Sequence, residues 1–387
     1  MWRNIASNAL TIFVVLLFVA GGVILWGQRQ YHAPGPLAQA ICLKVERGSN
    51  MARVSRDLEE QGAISSGAIY RMGAKYAGKA LDLKAGRFLI PPGASMQEIV
   101  DIVTRGGPST CGTEVIYRVG VRKNEIRLRR FDPETEEYVQ VAAFDPTAGD
   151  APEAYRKARE EGDLIYRIVL AEGVTSWQVA EALKAADFLE GDLEAIPDEG
   201  SLAPDSYEVK AGTPRAALIA QMQEKQKKIL AEAWANRAEG LPLKTPEEAL
   251  VLASLIEKET GVPEERRRVA SVFINRLKKG IRLQTDPAVI YGITKGQGGL
   301  GRGLRQSELR RKTPYNTYLI EGLPPTPIAN PGRASIEAAV NPEDTDFLFF
   351  VADGSGGHAF ARTLREHNEN VARWRKIEKE RAREGGN

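Results

Sequence analysis

The sequence predicts an α+β protein built from several parts. An uncharged apolar stretch at residues 9–26 predicts an N-terminal transmembrane helix. Residues 43–107 follow a strand, helix, helix, strand, helix pattern, which predicts a small βααβ module with a closing helix. A β-rich segment at residues 108–203 precedes a mixed α+β domain at residues 204–387, which contains both helical and strand patterns.

Composition argues against two kinds of partner. The chain of 387 residues has 53 basic and 51 acidic residues, and a formal net charge of +2 creates no strong field that would attract nucleic acid. Its two cysteines, Cys42 and Cys111, have no close Cys or His partner at metal-ligand spacing. We therefore expect neither nucleic acid nor a metal ion as a partner.

The apolar stretch is just long enough to span the core of a bilayer. A cleaved signal peptide is the competing interpretation, but the run is longer than a usual signal core and no small-x-small cleavage site closes it. Residues 1–35 are therefore interpreted as a short tail, an uncleaved anchor and a linker. If the folded part lies outside the cytosol, Cys42 and Cys111 can form a disulfide, whereas in a reducing compartment they stay free. Both alternatives remain open.

Local signals predict several elements between the anchor and the last domain. Ser49 and Ser95 are predicted N-caps of two helices in the small module. Residues 112–144 alternate in polarity around a DPETEE turn, which predicts an antiparallel hairpin, and Glu153–Glu161 has a helical pattern.

A second strand and helix pattern follows at residues 166–189. It repeats the apolar strand, glycine turn and capped helix of residues 43–62, which suggests an internal pair. Beyond it, a long amphipathic helix is expected from about Pro214 to Glu239.

The best-defined helix of the chain begins at Thr245 and contains two acids at its end. Thr245 and Glu248 form a T-x-x-E capping pattern around Pro246, and the helix is expected to end before Gly261. Its middle, EEALVLASLI, is apolar nearly all round, which predicts a buried central helix.

Glu257 and Glu259 lie in the last turn of that helix, where acids are disfavoured by the helix dipole. A partly desolvated carboxyl that faces helix carbonyls has a raised pKa, as a general acid at neutral pH requires. The two side chains point about 160° apart around the helix, so geometry alone does not choose between them. The alternative is that both pair with the arginines at residues 266–268.

Two polar segments supply further candidates for the same site. Asp286, which precedes a proline, is most simply an N-cap, with a second site carboxylate as the alternative, and Gln284 lies beside it. Tyr315 and Asn316 lie on a proline-rich loop, whose stiffness suits polar and aromatic contacts with sugar, although ordinary turns explain such residues equally well.

The C-terminal segment contains two of the three histidines, His358 and His367. A hairpin with DGSGG as its turn is expected to lead into a helix capped by Thr363 with Glu366. Because nothing in the spacing supplies a third ligand, orienting hydrogen bonds are a better interpretation of the histidines than a metal site.

Four long motifs, taken together, resemble the MltG (YceG-like) family of endolytic murein transglycosylases. The similarity is dense from about residue 248 to 368, and PDSY at residues 204–207 fits the family upstream. The motifs are LASLIEKETG, VASVFINRLKKGIRLQTDPAVIYG, YNTYLIEGLPPTPIANPG and FVADGSGGHAFARTLREHN. The segment at residues 113–163 departs from the simplest family layout and has the character of an insertion.

The resemblance implies a single-pass protein of the bacterial inner membrane with a periplasmic catalytic domain. It also implies that residues 43–107 are a LysM-like module. Such an enzyme cuts the bond from MurNAc to GlcNAc within nascent glycan strands, and so ends their elongation. Its implied partners are glycan strands and peptidoglycan synthases, and it needs no cofactor.

The resemblance also chooses between the two acids, because the family's catalytic glutamate is the first of the E-K-E-T motif, here Glu257. The protonated carboxyl donates to the glycosidic oxygen and then accepts the proton of the MurNAc 6-hydroxyl, which forms a 1,6-anhydro ring. One carboxyl can suffice because the substrate supplies its own nucleophile. The candidates for sugar binding or for orienting the acid are Gln284, Asp286, Tyr315, Asn316 and His367.

Two other functions compete with this interpretation. A lysozyme-type hydrolase would use Asp286 as the second carboxylate. A non-catalytic scaffold would bind glycan through the module at residues 43–107 and dock synthases through the C-terminal domain.

Overall fold

The computed structural model describes residues 2–384 with the exception of 108, 133 and 163. The α-helices are α1 (Trp2–His32), α2 (Met51–Glu60), α3 (Gly67–Tyr76), α4 (Met96–Arg105), α5 (Glu153–Glu161), α6 (Ser176–Ala185), α7 (Arg215–Ala235), α8 (Pro246–Glu259), α9 (Arg266–Lys278), α10 (Asp286–Thr294), α11 (Gln306–Leu309), α12 (Arg333–Val340) and α13 (Leu364–Glu384). The strands are β1 (Ile41–Val45), β2 (Gly86–Ile90), β3 (Thr113–Val119), β4 (Asn124–Asp132), β5 (Glu137–Phe144), β6 (Leu164–Leu170), β7 (Leu189–Glu190), β8 (Ser206–Val209), β9 (Thr213–Pro214), β10 (Phe349–Ala352) and β11 (His358–Ala361). The chain is therefore α+β, as predicted.

The described residues form two compact units. One consists of residues up to 115 with residues 128–142 and 153–165, and the other consists of residues 116–127, 143–152 and everything from 166 onward.

Helix α1 contains the predicted apolar stretch. Residues 12–32 are long and apolar enough to cross a membrane, with a mean hydropathy of 1.9 over the most apolar part. Side chains such as Phe18 and Leu25 are exposed along this stretch, whereas Tyr31 near its end is buried in the core of the first unit.

The module predicted at residues 43–107 has the expected order of elements, β1, α2, α3, β2 and α4. Strands β1 and β2 pair antiparallel, from Ile41 opposite Ile90 to Val45 opposite Gly86. Ser95 caps α4 through a complete capping box, as predicted. The predicted cap at Ser49 is wrong by one residue, because the side chain of Asn50 accepts the N–H of Arg53 at the start of α2.

A disulfide joins Cys42 and Cys111 within the first unit. It closes a sequence separation of 69 residues, so it ties β1 to the segment that follows α4. In this structure the two thiols are therefore paired, which was one of the two alternatives left open by the sequence.

The β-rich segment forms most of a five-stranded sheet in the order β5, β4, β3, β6, β8. The predicted hairpin at residues 112–144 is thus three consecutive strands rather than two. Strand β6 pairs antiparallel with β8, with Ile168 opposite Tyr207. Beyond β6, a turn at Gly173 with a φ of +77° leads to Thr175, which caps α6 with a complete capping box.

Helix α8 is the buried centre of the second unit, as its apolar sequence predicts. It packs against α7, α9, α10 and α12, and residues 251–256 are all buried. Thr245 caps its first turn and Pro246 is its first residue, while Thr260 ends it. Helix α7 ends at Ala235, a few residues before the predicted end at about Glu239.

The last elements also agree with the sequence. Strands β10 and β11 pair antiparallel around the DGSGG turn, with Ala352 opposite His358. Thr363 accepts the N–H of Glu366, and the Glu366 carboxylate accepts the N–H of Thr363, so α13 has the predicted capping box.

Candidate active site

The carboxyl group of Glu257 lies at the end of α8, against the beginning of α12. Its Oε2 accepts a hydrogen bond of 3.0 Å from the main-chain N–H of Gly332, the residue that caps α12. The side chain is partly buried. An N–H donor at a helix N-terminus stabilises a carboxylate. This donor comes from a distant part of the chain, so it cannot be read from the sequence around α8.

Asn330 fixes the loop that carries Gly332. It is fully buried, and its main-chain N–H and its amide both donate to the carbonyl of Val174. Its side-chain oxygen accepts the N–H of Leu202 at 2.9 Å. The N–H of Gly173 donates to the Asn330 carbonyl at 2.9 Å. The loop before α12 is therefore held against the turn that follows β6.

That turn contains a second carboxyl, Glu172, which touches Gly332 from another side. A Cβ placed on Gly332 would lie 1.8 Å from Oε1 of Glu172, so only glycine fits beside this side chain as it stands. The other oxygen forms an ion pair of 3.3 Å with Arg266. Burial raises the pKa of Glu172, and the nearby charge of Glu257 raises it further, while Arg266 opposes both.

Lys258 joins the same turn to α8. Its Nζ donates to the carbonyl of Gly173 at 3.2 Å. Burial lowers the pKa of this ammonium, while the carboxylates of Glu257 and Glu199 act in the opposite direction. Glu199 itself accepts the N–H of Ser176 at 2.8 Å, and burial raises the pKa of Glu199.

Glu259 belongs to a different group of side chains. Burial raises its pKa, the hydroxyl of Thr285 lowers it, and the charge of Asp286 raises it again. The hydroxyl of Tyr318 donates to Oδ1 of Asp286 at 2.7 Å. The second acid of the E-K-E-T motif is thus associated with the LQTDP segment, and the first with Gly332.

The arginines at the start of α9 do not provide the alternative predicted from sequence. Arg266 pairs with Glu172, Arg267 donates to the carbonyl of Asn341, and Arg268 pairs with Glu343. The interpretation that these arginines neutralise both acids of α8 is therefore wrong.

Asp286 is not the predicted N-cap, because the cap of α10 is Thr285 and Asp286 is its first helical residue. Its side chain is exposed. Gln284, also exposed, has a left-handed backbone with a φ of +54°, and its Oε1 accepts a hydrogen bond of 3.1 Å from Arg276. Both side chains are thus displayed on the surface of the second unit.

Tyr315 and Asn316 lie next to each other and have different surroundings. The Tyr315 ring packs 5.1 Å from that of Tyr291, and its hydroxyl lies 2.8 Å from the hydroxyl of Thr326. Asn316 is fully buried, and its amide donates to the carbonyls of Glu308, Leu309 and Arg311. Its side chain therefore organises the loop.

The two C-terminal histidines also differ. His367 stacks on Phe349 at 5.1 Å, and the guanidinium of Arg276 lies 5.0 Å from the same ring. Burial and Arg276 lower the pKa of His367. His358 forms a hydrogen bond of 2.7 Å with Glu265. Among the described residues, no group of three His, Cys, Asp or Glu could hold a metal ion.

The sequence does not mark Glu172, Lys258 or Gly332 as site residues. Glu172 and Gly332 are 85 and 75 positions away from Glu257, so no helical or strand periodicity connects them. The available signals were an acid directly before a glycine turn and a glycine directly before a helix, and both are common.

These contacts place a carboxyl-centred candidate site at the end of a buried helix in an α+β protein. The chain belongs to the YceG-like family, whose model matches residues 136–373.

Two relatives bear the same name. An endolytic murein transglycosylase of Bacillus subtilis (strain 168) is 27% identical over 352 residues, which cover 91% of this chain and 89% of that protein. One from Streptococcus pneumoniae serotype 2 is 28% identical over 348 residues, covering 86% of this chain and 58% of the relative. A crystal structure of a yceG-like protein from Listeria monocytogenes has 25% sequence identity and a TM-score of 0.44, covering 85% of this chain and 98% of that one.

Proposed function

We propose that this protein is an endolytic murein transglycosylase, a lyase that cleaves the bond from MurNAc to GlcNAc within glycan strands and leaves 1,6-anhydro-MurNAc ends. Membership of the YceG-like family and the names of its relatives support this function. The observation that carries the proposal is the position of Glu257, partly buried at the end of α8 and anchored by Gly332.

Glu257 acts as both acid and base in this reaction. Protonated, it donates to the glycosidic oxygen as the bond to the anomeric carbon breaks. As a carboxylate it then accepts the proton of the MurNAc 6-hydroxyl, whose oxygen bonds to the anomeric carbon. The Gly332 N–H can stabilise the carboxylate formed between these two steps.

We assign glycan contacts to the exposed or partly exposed side chains of Gln284, Asp286, Tyr315 and His367. The Tyr315 ring offers an aromatic face, and the first two offer hydrogen-bonding groups at the surface. Asn316 contributes differently, since its three amide hydrogen bonds to carbonyls hold the loop that carries Tyr315.

The N-terminal part fits an anchored enzyme of the bacterial cell envelope. We propose that α1 is a single-pass anchor in the inner membrane and that the folded part lies in the periplasm, where a disulfide such as Cys42–Cys111 persists. The βααβ order of the module at residues 43–107 supports a LysM-like, glycan-binding role. Peptidoglycan synthases are the proposed protein partners.

Mass analysis of products from purified glycan strands tests the function. We expect wild type to release fragments with anhydro ends, one water lighter than hydrolysed ends, and Glu257→Gln to reduce cleavage by about 1000-fold or more. Glu264→Gln is the matched control, because Glu264 is exposed on the turn before α9.

The outcomes separate the alternatives. Hydrolysed ends in the products of wild type would show that the enzyme is a lysozyme-type hydrolase and not a lytic transglycosylase. An active Glu257→Gln variant would remove Glu257 as the acid, and a wild type that binds glycan without cutting it would identify a scaffold.

A further inference from the structure

Two carboxylates, those of Glu257 and Glu172, flank the same residue of the main chain. Glu257 accepts the N–H of Gly332, and Glu172 lies where a side chain of Gly332 would be. These contacts and ordinary bond lengths place Oε2 of Glu257 and Oε1 of Glu172 at most about 8 Å apart. Carboxyl pairs that act on a glycosidic bond are separated by distances of this order.

The turn that carries Glu172 is fixed to the rest of the site. Gly173, the next residue, donates its N–H to Asn330 at 2.9 Å and accepts the Nζ of Lys258 at 3.2 Å. Lys258 follows Glu257 directly on α8, and Asn330 lies two residues before Gly332. The position of Glu172 relative to the candidate acid is therefore set by two independent contacts.

Exposure differs across the ion pair between Glu172 and Arg266. The Glu172 side chain is 43% exposed, whereas that of Arg266 is only 14% exposed. The guanidinium that pairs with Glu172 is thus largely buried, whereas the Glu172 side chain keeps part of its surface accessible. Burial and the charge of Glu257 raise the pKa of Glu172, and the fixed cation of Arg266 opposes them by favouring the charged form.

We propose that Glu172 is a second catalytic carboxylate, which stabilises the positive charge that develops on the MurNAc ring when the glycosidic bond breaks. This inference rests on the proposed function. Glu257 gives its proton to the glycosidic oxygen, and the electron pair of the broken bond goes to that oxygen. The 6-hydroxyl oxygen then bonds to the anomeric carbon and loses its proton to Glu257. Glu172 forms no bond and transfers no proton.

Such a group answers a need that Glu257 alone does not meet. The transition state of glycoside cleavage resembles an oxocarbenium ion, and a fixed anion beside it lowers the barrier. Glu257 has lost its proton at that point, but its Oε2 accepts the hydrogen bond of the Gly332 N–H. The same carboxylate must next accept the proton of the 6-hydroxyl, so a separate anion is needed beside the sugar ring.

Kinetics of Glu172→Gln on purified glycan strands test the proposal first. We expect kcat to fall by about 100-fold while KM changes by less than about threefold, because the lost interaction is made mainly in the transition state. Glu172→Asp keeps the charge and is expected to retain more activity than Gln. Glu264→Gln is again the control, and thermal unfolding of each variant checks that it folds.

An activated substrate separates charge stabilisation from a role in positioning Glu257. A 2,4-dinitrophenyl glycoside of a short murein oligosaccharide has a leaving group that needs no proton. Glu257→Gln should therefore recover about 10-fold or more of its lost rate on this substrate, relative to glycan, whereas the defect of Glu172→Gln should persist. Recovery by Glu172→Gln as well would overturn the proposal in favour of a positioning residue.

Chemical rescue tests whether the carboxylate itself is needed, because an added carboxylate would not restore activity lost through a purely structural role. Sodium formate supplies a carboxylate to the space vacated in Glu172→Ala, and we expect it to restore activity by about 10-fold, whereas sodium chloride at the same concentration should not. Absence of rescue, or a Glu172→Gln variant as active as wild type, contradicts the inference. If wild type itself cleaves no glycan, the proposed function fails instead, so the two failures are distinguishable.

Discussion

The carboxylate of Glu172 occupies the space in which any side chain at position 332 would have to lie. Gly332 has an extended backbone with a φ of −72°, so its conformation does not require glycine, whereas its surroundings do. Because the same residue donates its N–H to Glu257, a single position of the chain is in contact with both carboxyl groups.

Gly332→Ala should therefore damage the site more than the fold. The new methyl group would lie 1.8 Å from Oε1 of Glu172, and the flexible, half-exposed carboxylate is the group that can move away. We expect activity on glycan to fall by about 10-fold or more, with a loss of unfolding free energy of only about 1 kcal/mol. Gly299→Ala, where nothing lies within 4 Å, is the control. Full activity of Gly332→Ala would show that Glu172 need not stay where it lies.

Asn330→Ala should affect stability as well as activity. The buried side chain accepts the N–H of Leu202, so truncation leaves this donor unpaired in the interior. Truncation also removes one of the two hydrogen bonds that Asn330 donates to the carbonyl of Val174. We expect a loss of about 2–4 kcal/mol in the free energy of unfolding, measured by urea denaturation. Asn236→Ala removes an exposed side-chain amide that donates to the carbonyl of Glu232 in its own helix, and it should cost much less. Equal losses in the two variants would contradict the role of Asn330.

The sequence predicts the boundaries of elements well where the signals are local. The ends of α8 follow from Thr245, Pro246 and Gly261, and the capping box of α13 follows from Thr363 and Glu366. Such signals act over one turn of helix, so they depend little on the rest of the fold. The error at Ser49 is of the same kind, since Asn50 is an equally good cap one residue further on.

The site was less predictable, because its contacts are not local. The position of Glu257 at the end of a buried helix follows from the sequence, but its hydrogen-bond donor comes from Gly332, which packing alone brings near. The burial of Asn316 was equally unpredictable, because a buried loop asparagine and an exposed one have the same sequence pattern. Tertiary structure decides both cases.

Glu259 should make the protein less stable as pH rises. Burial raises its pKa above the ordinary value of 4.5, so the folded state binds this proton more tightly than the unfolded state. The stability that this group contributes is fully present below about pH 4.5 and is lost as the pH rises through the raised pKa in the folded state. We expect Glu259→Gln to unfold at higher urea concentration than wild type at pH 8, with a smaller difference at pH 4. An unchanged difference between the two pH values would show that Glu259 does not carry the effect.

The disulfide should contribute strongly to the stability of the first unit. Closing 69 residues restricts the unfolded chain, and a loop of that length corresponds to about 4 kcal/mol in the chain-entropy treatment. We expect the Cys42→Ser/Cys111→Ser double variant to unfold at a lower urea concentration than oxidised wild type. Wild type kept reduced with dithiothreitol should unfold at about the same concentration as the variant. Unfolding is measured by the fluorescence of the whole protein and by proteolysis within residues 43–107. Cleavage of glycan at low temperature should persist in both, because the second unit contains the candidate site. A reduced protein as stable as the oxidised one would mean that the core around Leu58, Tyr70 and Ile99 suffices to hold the module without the bond.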